Sequence, residues 1–345
     1  MFKNLWAIRS SWGGYFAVIL VLHAVGIVGL VSAARTDPAF WSLGLLAYTF
    51  GLRHAFDVDH IAAIDNTVRK LIQQKRNPLG VGFYFSLGHS SVVFLMVLAI
   101  ALSIKWLQDR MPVMQEVGGI IGTTVSGAFL VIIGLINLVI LLNLYQVFRK
   151  LRSTGIHNEQ LEDMLDSRGL FSRLLKPMFR LINRSWHVYP LGFLFGLGFD
   201  TATEIGLLAI SASAAKTSIP VFGIIALPLL FAAGMSLMDT ADGMFMTKAY
   251  RWAFTSPIKK LYYNVTVTTV SVIAALIIGM VELIQVLSDK LQLEGSFFLW
   301  INELDFGDFG YLLVALFLLA WIVSVTVWKV MKVEQRYTRS DQATP

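Results

Sequence analysis

The chain has 345 residues, of which 56% are hydrophobic and 14% charged, and its formal net charge is +6. A soluble domain carries roughly 25% charged residues, so this balance excludes an ordinary soluble enzyme and points to an all-α, polytopic membrane bundle. Cysteine is absent, which excludes disulfides and thiolate metal ligands.

In chain order, the N-terminal MFKNLWAIRSSW is short and lightly basic. The apolar run after it reads as a retained span rather than a cleaved signal peptide, because no small-residue cleavage site stands out. Stretches near 20 apolar residues then recur. They predict eight spans, at 13–34, 39–65, 79–104, 118–148, 188–214, 218–247, 262–287 and 308–331. The chain thus divides into spans 1–4 (1–148), a link (149–187), and spans 5–8 with a short tail (188–345).

The positive charge falls unevenly. Twenty-two Lys and Arg lie in the N-terminus, in the links after spans 2, 4 and 6, and in the tail; five lie in the remaining links. The positive-inside rule then puts both termini in the cytoplasm. This distribution, rather than nucleic-acid binding, accounts for the net charge. The link 149–187 is polar and of mixed charge, and part of it suits an amphipathic helix on the inner surface. The link 288–307 faces out, with Phe297, Phe298 and Trp300 suited to the interface. No strong internal repeat is visible; GLRHAFDVD (51–59) is faintly echoed by GLGFDTATE (196–204), as an inverted repeat or chance would produce.

Ionisable groups inside the spans are the informative residues, since each costs on the order of 2.5–3.5 kcal/mol at mid-bilayer. Span 2 holds RHAFDVDH, with His54, Asp57, Asp59 and His60. In a regular helix His54, Asp57 and His60 neighbour one another and Asp59 points away, so either Asp59 has a second role or the helix is unwound, which Gly51 would permit. Imidazole with carboxylate suits divalent first-row metals. The alternative is ion pairing with Arg53, but two His beside two Asp exceed what one Arg needs. Span 3 has His89 in FSLGHSS, where small neighbours permit close helix approach; a packing or hydrogen-bonded histidine is the alternative. Span 5 has Asp200 and Glu204, four apart and on one face, which repel unless a cation or proton lies between them. Span 6 has Asp239 and Asp242, three apart, toward the cytoplasmic end, where a helix cap or Arg partner is the competing reading. Met235, Met238, Met244 and Met246 read as packing. His23, near the middle of span 1, is a further candidate ligand. His157 and His187 look incidental.

HAFDVDHIAAIDN, LGHSS, LGFDTATEI and GMSLMDTADG resemble, in order, the four signature motifs of the nickel/cobalt transporter family, NiCoT. HxxxDxDH is its most specific mark, and the resemblance covers nearly the whole chain. It implies a single-component permease that imports Ni²⁺ or Co²⁺ across the bacterial inner membrane. The substrate is then the metal; no cofactor and no ATPase subunit are implied. The family's metal-site motifs fall here on His54, Asp57, Asp59, His60 and His89, with Asp200, Glu204, Asp239 and Asp242 lining the route or compensating charge.

Other functions are weighed against this one. A metal exporter of related fold would fit a His-rich cytoplasmic stretch, but the 149–187 link has only His157, with His187 at its end. An intramembrane hydrolase would need a metal-activated water and a general base, for which Asp59 or Glu204 could serve; acids spread over three spans fit a route better. A structural or receptor role leaves the buried charges without a purpose. No GxxxxGK[ST] loop is present, so coupling to ATP within the chain is not expected.

Overall fold

The computed structural model describes residues 3–102, 104–154, 182–198, 202–215, 221–253, 257–304 and 309–330. Every regular element among them is helical. In chain order these are α1 (Lys3–Ala34), α2 (Phe40–His54), α3 (Val58–Gln73), α4 (Val81–Leu102), α5 (Ile104–Thr154), α6 (Val188–Phe195), α7 (Ala202–Ala215), α8 (Val221–Ala253), α9 (Pro257–Leu291), α10 (Ser296–Asn302) and α11 (Phe309–Val330). A 3₁₀ turn, Ser185–His187, leads into α6. The expected amphipathic helix in the long link falls mostly on 155–181, outside the described residues.

Among the described residues, six helices are long and apolar enough to cross a membrane: Trp12–Ala34, Val81–Leu102, Glu116–Val139, Val221–Ala253, Val267–Leu291 and Phe309–Thr326. Their outer faces are apolar; Leu20 and Val28 of α1, for example, are 67% and 62% exposed, as lipid contact requires. Where spans 2 and 5 were expected, the structure has no continuous helix; for span 2 this is the unwound alternative raised by the position of Asp59. Each is two half-helices, α2–α3 and α6–α7, with an interruption between them.

The charge order of the first interruption explains it. Arg53 and His54 occupy the last turn of α2, and Asp59 the first turn of α3, with Asp57 in extended conformation at its N-cap. Basic groups favour a helix C-terminus and acidic groups an N-terminus. RHAFDVDH thus suits one helix end followed by one helix start. No glycine or proline makes the break. Gly51 lies inside α2 and serves packing instead. α3 then runs to Gln73, so Arg69 and Lys70, expected in a polar link, are buried at 0% and 2% exposure.

α4 and α8 form the centre. α8 packs on α1, α2, α3 and α4, while α4 packs on α8, α6 and α7. The two interrupted spans dock on them in reciprocal fashion. A Cβ on Gly51 of α2 would strike the Phe231 carbonyl of α8, and one on Gly234 would meet the Tyr48 carbonyl of α2. Likewise a Cβ on Gly192 of α6 would strike the Phe85 carbonyl of α4, and one on Gly88 would strike the Tyr189 carbonyl of α6. In both pairs a Tyr-x-x-Gly helix meets a Phe-x-x-Gly helix. This shared contact pairs Gly51 with Gly192, not with Gly196 as the sequence echo had aligned them.

Outside this centre, α5 and α9 form a long pair in which Gly127 and Gly279 each abut the other's carbonyl. At one end of the bundle Tyr15, Arg76, Asn77, Tyr84, Arg184 and Trp186 line one cavity of about 330 Å³. That gathers the start of span 1, the link after span 2 and the end of the link after span 4 on a single side.

Gly192→Val should lower the thermal unfolding midpoint of the detergent-solubilised protein, at a cost of about 1–3 kcal/mol for overpacking. Gly13→Ala in α1, with nothing within 4 Å of the added Cβ, should cost nothing. Equal midpoints for both variants would show that the reciprocal contact is loose.

Candidate metal centre

The interruption of span 2 brings side chains from five helices to one point. His54 comes from the last turn of α2 and His60 from the first turn of α3. His89 projects from α4 beside Gly88, whose missing side chain lets α6 come close. Glu204 lies in the first turn of α7, and Asp239 midway along α8.

His54, His60 and His89 each offer a ring nitrogen within 4.8 Å of the others. All three are sealed from solvent, at 1%, 0% and 3% exposure, as are Glu204 at 1% and Asp239 at 0%. Phe85 and Phe231 wall the cluster, with ring centroids 4.8 Å from His60 and 5.6 Å from His54.

The hydrogen bonding within the cluster conflicts with itself. His89 Nε2 lies 2.8 Å from His54 Nε2 and also 2.8 Å from Glu204 Oε1. Glu204 Oε1 is 4.0 Å from His54 Nε2. A neutral imidazole nitrogen either donates one proton or accepts one. If His89 Nε2 donates to Glu204, it has no lone pair for His54. If it accepts from His54, it faces the carboxylate lone pair to lone pair. A cation among the three resolves the conflict, because every one of them can then present a lone pair to it.

The far nitrogen of His54 sets the direction of that lone pair. His54 Nδ1 faces Asp57 Oδ2 at 2.7 Å and Thr203 Oγ1 at 3.1 Å. A proton on Nδ1 satisfies this side and leaves Nε2 as the ligand atom, the usual arrangement behind a metal-ligating histidine. His60 Nδ1 lies 3.4 Å from Asp239 Oδ2, and neither His60 nitrogen nor either Asp239 oxygen makes a hydrogen bond. Such buried groups are costly unless something completes them.

The sequence-derived residues separate accordingly. His54, His60 and His89 meet. Asp57 stands behind His54. Asp59 Oδ1 accepts the backbone N–H of His60 at 2.8 Å and so helps fix the start of α3. Glu204, expected along the route, touches His89 at the centre. Asp239 adjoins His60. Asp242 is one turn further along α8, with Oδ2 buried and making no hydrogen bond. Asp200 lies outside the described residues. His23 is not brought to the cluster; its Nδ1 faces Ile19 O at 2.8 Å and its Nε2 faces Tyr48 Oη at 3.2 Å. Thr203, which the sequence offered as a further oxygen of span 5, meets His54 rather than the cluster's centre; sequence reasoning missed the Ser86–Ser236 hydrogen bond of 2.9 Å that joins α4 to α8 beside the cluster.

Comparison with known proteins follows the same line. The profile of the high-affinity nickel-transport protein family (NicO) matches residues 40–327. The nickel transporter NixA of Staphylococcus aureus is 55% identical over 98% of this chain and 99% of its own length. The high-affinity nickel-transport protein NixA of Helicobacter pylori is 52% identical, covering 92% of this chain and 97% of its own. The cobalt transport protein NhlF of Rhodococcus rhodochrous is 40% identical over 91% of each. No solved structure matches the chain.

His60→Ala removes one of the three converging imidazoles, whereas Asp57→Asn removes a group facing His54 from behind. The second should weaken Ni²⁺ binding about 10–100-fold, and the first should weaken it more. Calorimetric titration of the detergent-solubilised protein tests the order; the reverse order would exchange the two roles.

Proposed function

The chain belongs to the high-affinity nickel-transport protein family, and on that premise we propose that it is a secondary permease importing Ni²⁺, and also Co²⁺, across the bacterial inner membrane through the His54–His60–His89 site. The family is one of transporters, not enzymes. The observation that carries the reading is the sealed cluster of three imidazoles and Glu204, whose lone pairs converge with too few protons to satisfy them. Nitrogen-rich sets of this kind suit Ni²⁺ and Co²⁺ rather than Mg²⁺ or Ca²⁺.

In this reading six continuous helices and two interrupted ones make eight spans, with both termini in the cytoplasm. Half-helices that meet at mid-membrane are a recurring way to build a transport site. The membrane potential supplies the inward drive, about 2.3 kcal/mol per charge per 100 mV, which a divalent ion feels twice. No ATPase subunit is needed. Asp239 and Asp242, on one face of α8, continue the route beyond His60.

The test is uptake of radioactive Ni²⁺ and Co²⁺ by cells expressing the chain, each competed by the other metal. Uptake should saturate at trace concentration and vanish in His54→Ala with membrane insertion intact. Undiminished uptake by that variant would overturn the site.

His23 acts from one layer out. It holds Tyr48, which packs on Gly234 of α8, so it bears on the position of α2 and hence on ligand spacing. Nickel accepts a planar nitrogen-rich set, while cobalt takes tetrahedral or octahedral ones. His23→Asn should therefore shift the Ni²⁺ to Co²⁺ preference more than it lowers total capacity. Both metals would be assayed at matched low concentration, and an equal proportional loss for both would remove His23 from selectivity.

A further inference from the structure

Beyond the imidazole cluster, α3 and α8 continue side by side and enclose a second buried polar group. Arg69, Asp65 and Asn66 of α3 are all 0% exposed. Arg69 Nη2 donates to Asp65 Oδ2 at 2.8 Å and to Asn66 Oδ1 at 2.9 Å. Asn137 of α5 donates to the same Asn66 oxygen at 2.6 Å. Tyr250 of α8 donates a short hydrogen bond to Asp65 Oδ1, and the guanidinium lies 5.7 Å from the centroid of its ring.

The placement matters as much as the bonding. Asp239 touches His60, and Tyr250 follows eleven residues later on the same helix. Eleven residues are about three turns, or about 16 Å, so both side chains face α3. Asp242 lies between them on that side. The seam therefore runs from His60 and Asp239, past Asp242, to the Asp65–Arg69–Tyr250 group. Arg69 and Lys70 are followed by the exposed Lys75 and Arg76, so this is the end of the bundle that the basic residues mark as cytoplasmic.

A purely structural ion pair would use its donors fully. Arg69 instead leaves Nε and Nη1 buried with no hydrogen bond, and both oxygens of Asp239 and one of Asp242 are in the same condition. Spare donors on a fixed cation at the end of a seam that also holds spare acceptors describe a group able to change partners. From this arrangement, and resting on the transport-site reading above, we infer that Arg69 is the inner barrier of the route: a tethered cation that neutralises Asp65 between transport events and yields it to the departing metal ion. A divalent ion reaching Asp242 repels the guanidinium and competes for Asp65. When the ion leaves, Arg69 returns and the route is closed again.

The chain purified in detergent should retain a single Ni²⁺ after washing. Arg69→Gln strands Asp65 as an unneutralised buried carboxylate, so it should retain a second ion and import roughly tenfold more slowly, since an unpaired buried charge is costly to leave. Arg69→Lys keeps the charge and should retain one ion. The double variant Asp65→Asn with Arg69→Gln has no stranded charge; it should hold one ion and import, but lose preloaded Ni²⁺ from proteoliposomes roughly tenfold faster, because no charge bars the way. A structural ion pair would not change the number of bound ions. Arg69→Gln with one ion and parental import would overturn the inference. If that variant fails to fold, parental retention by the double variant overturns it. His60→Ala keeps the two readings apart: undiminished binding there would remove the transport site itself, whatever Arg69 does.

Discussion

A helix that stops within a membrane leaves carbonyls at one end and N–H groups at the other that lipid cannot satisfy. Two helix stops inside the bundle, after His54 and after Phe195, are the constraint on which the rest of the fold depends. They are tolerable only when protein surrounds them. α4 and α8 provide that cover, and the glycines at Gly51, Gly88, Gly192 and Gly234 let backbone meet backbone there. The stops also orient dipoles. The C-terminus of α2 is the negative end and favours a cation beside His54; the positive N-terminus of α3 would oppose it, but Asp57 and Asp59 sit at that end.

The same geometry explains how so many ionisable groups coexist out of water. One histidine nitrogen serves two partners at 2.8 Å, and His60 and Asp239 have partners too few for their lone pairs. Such a cluster is poor as a self-contained structural element. It is well suited to a passing ion, because the ion supplies the positive charge that the converging lone pairs lack. Sealing by Phe85 and Phe231 strengthens each of these interactions by excluding water.

Much of this was legible in the sequence. The apolar runs located the bundle, and the intramembrane His, Asp and Glu marked spans 2, 3, 5 and 6, from which His54, His60, His89, Glu204 and Asp239 do converge. The interruption of span 2 was one of two readings of Asp59, there tied to Gly51; that of span 5 was not foreseen, because its flanking runs are apolar, and packing against α4 and α8 makes both breaks possible. Glu204 was read as a neighbour of Asp200 on one face, since the contact with His89 crosses between elements far apart in sequence. Arg69 was counted with the link basics. An Asp65–Arg69 pair at i, i+4 looks like any surface pair until α3 is seen to run on to Gln73 inside the bundle.

The choice of ligand type has a consequence for function. A chain with no cysteine must catch a scarce first-row cation with imidazole and carboxylate alone. Thiolates would hold such ions more tightly but release them slowly. Imidazole favours first-row cations over Mg²⁺ and Ca²⁺, and in the proposed reading the carboxylates of α8 are weaker partners beyond it. In the proposed reading, capture and release are divided between two kinds of group along one seam: the ion binds where α2, α3, α4 and α7 meet and leaves along α3 and α8, where the carboxylates of Asp242 and Asp65 lie ahead of Arg69.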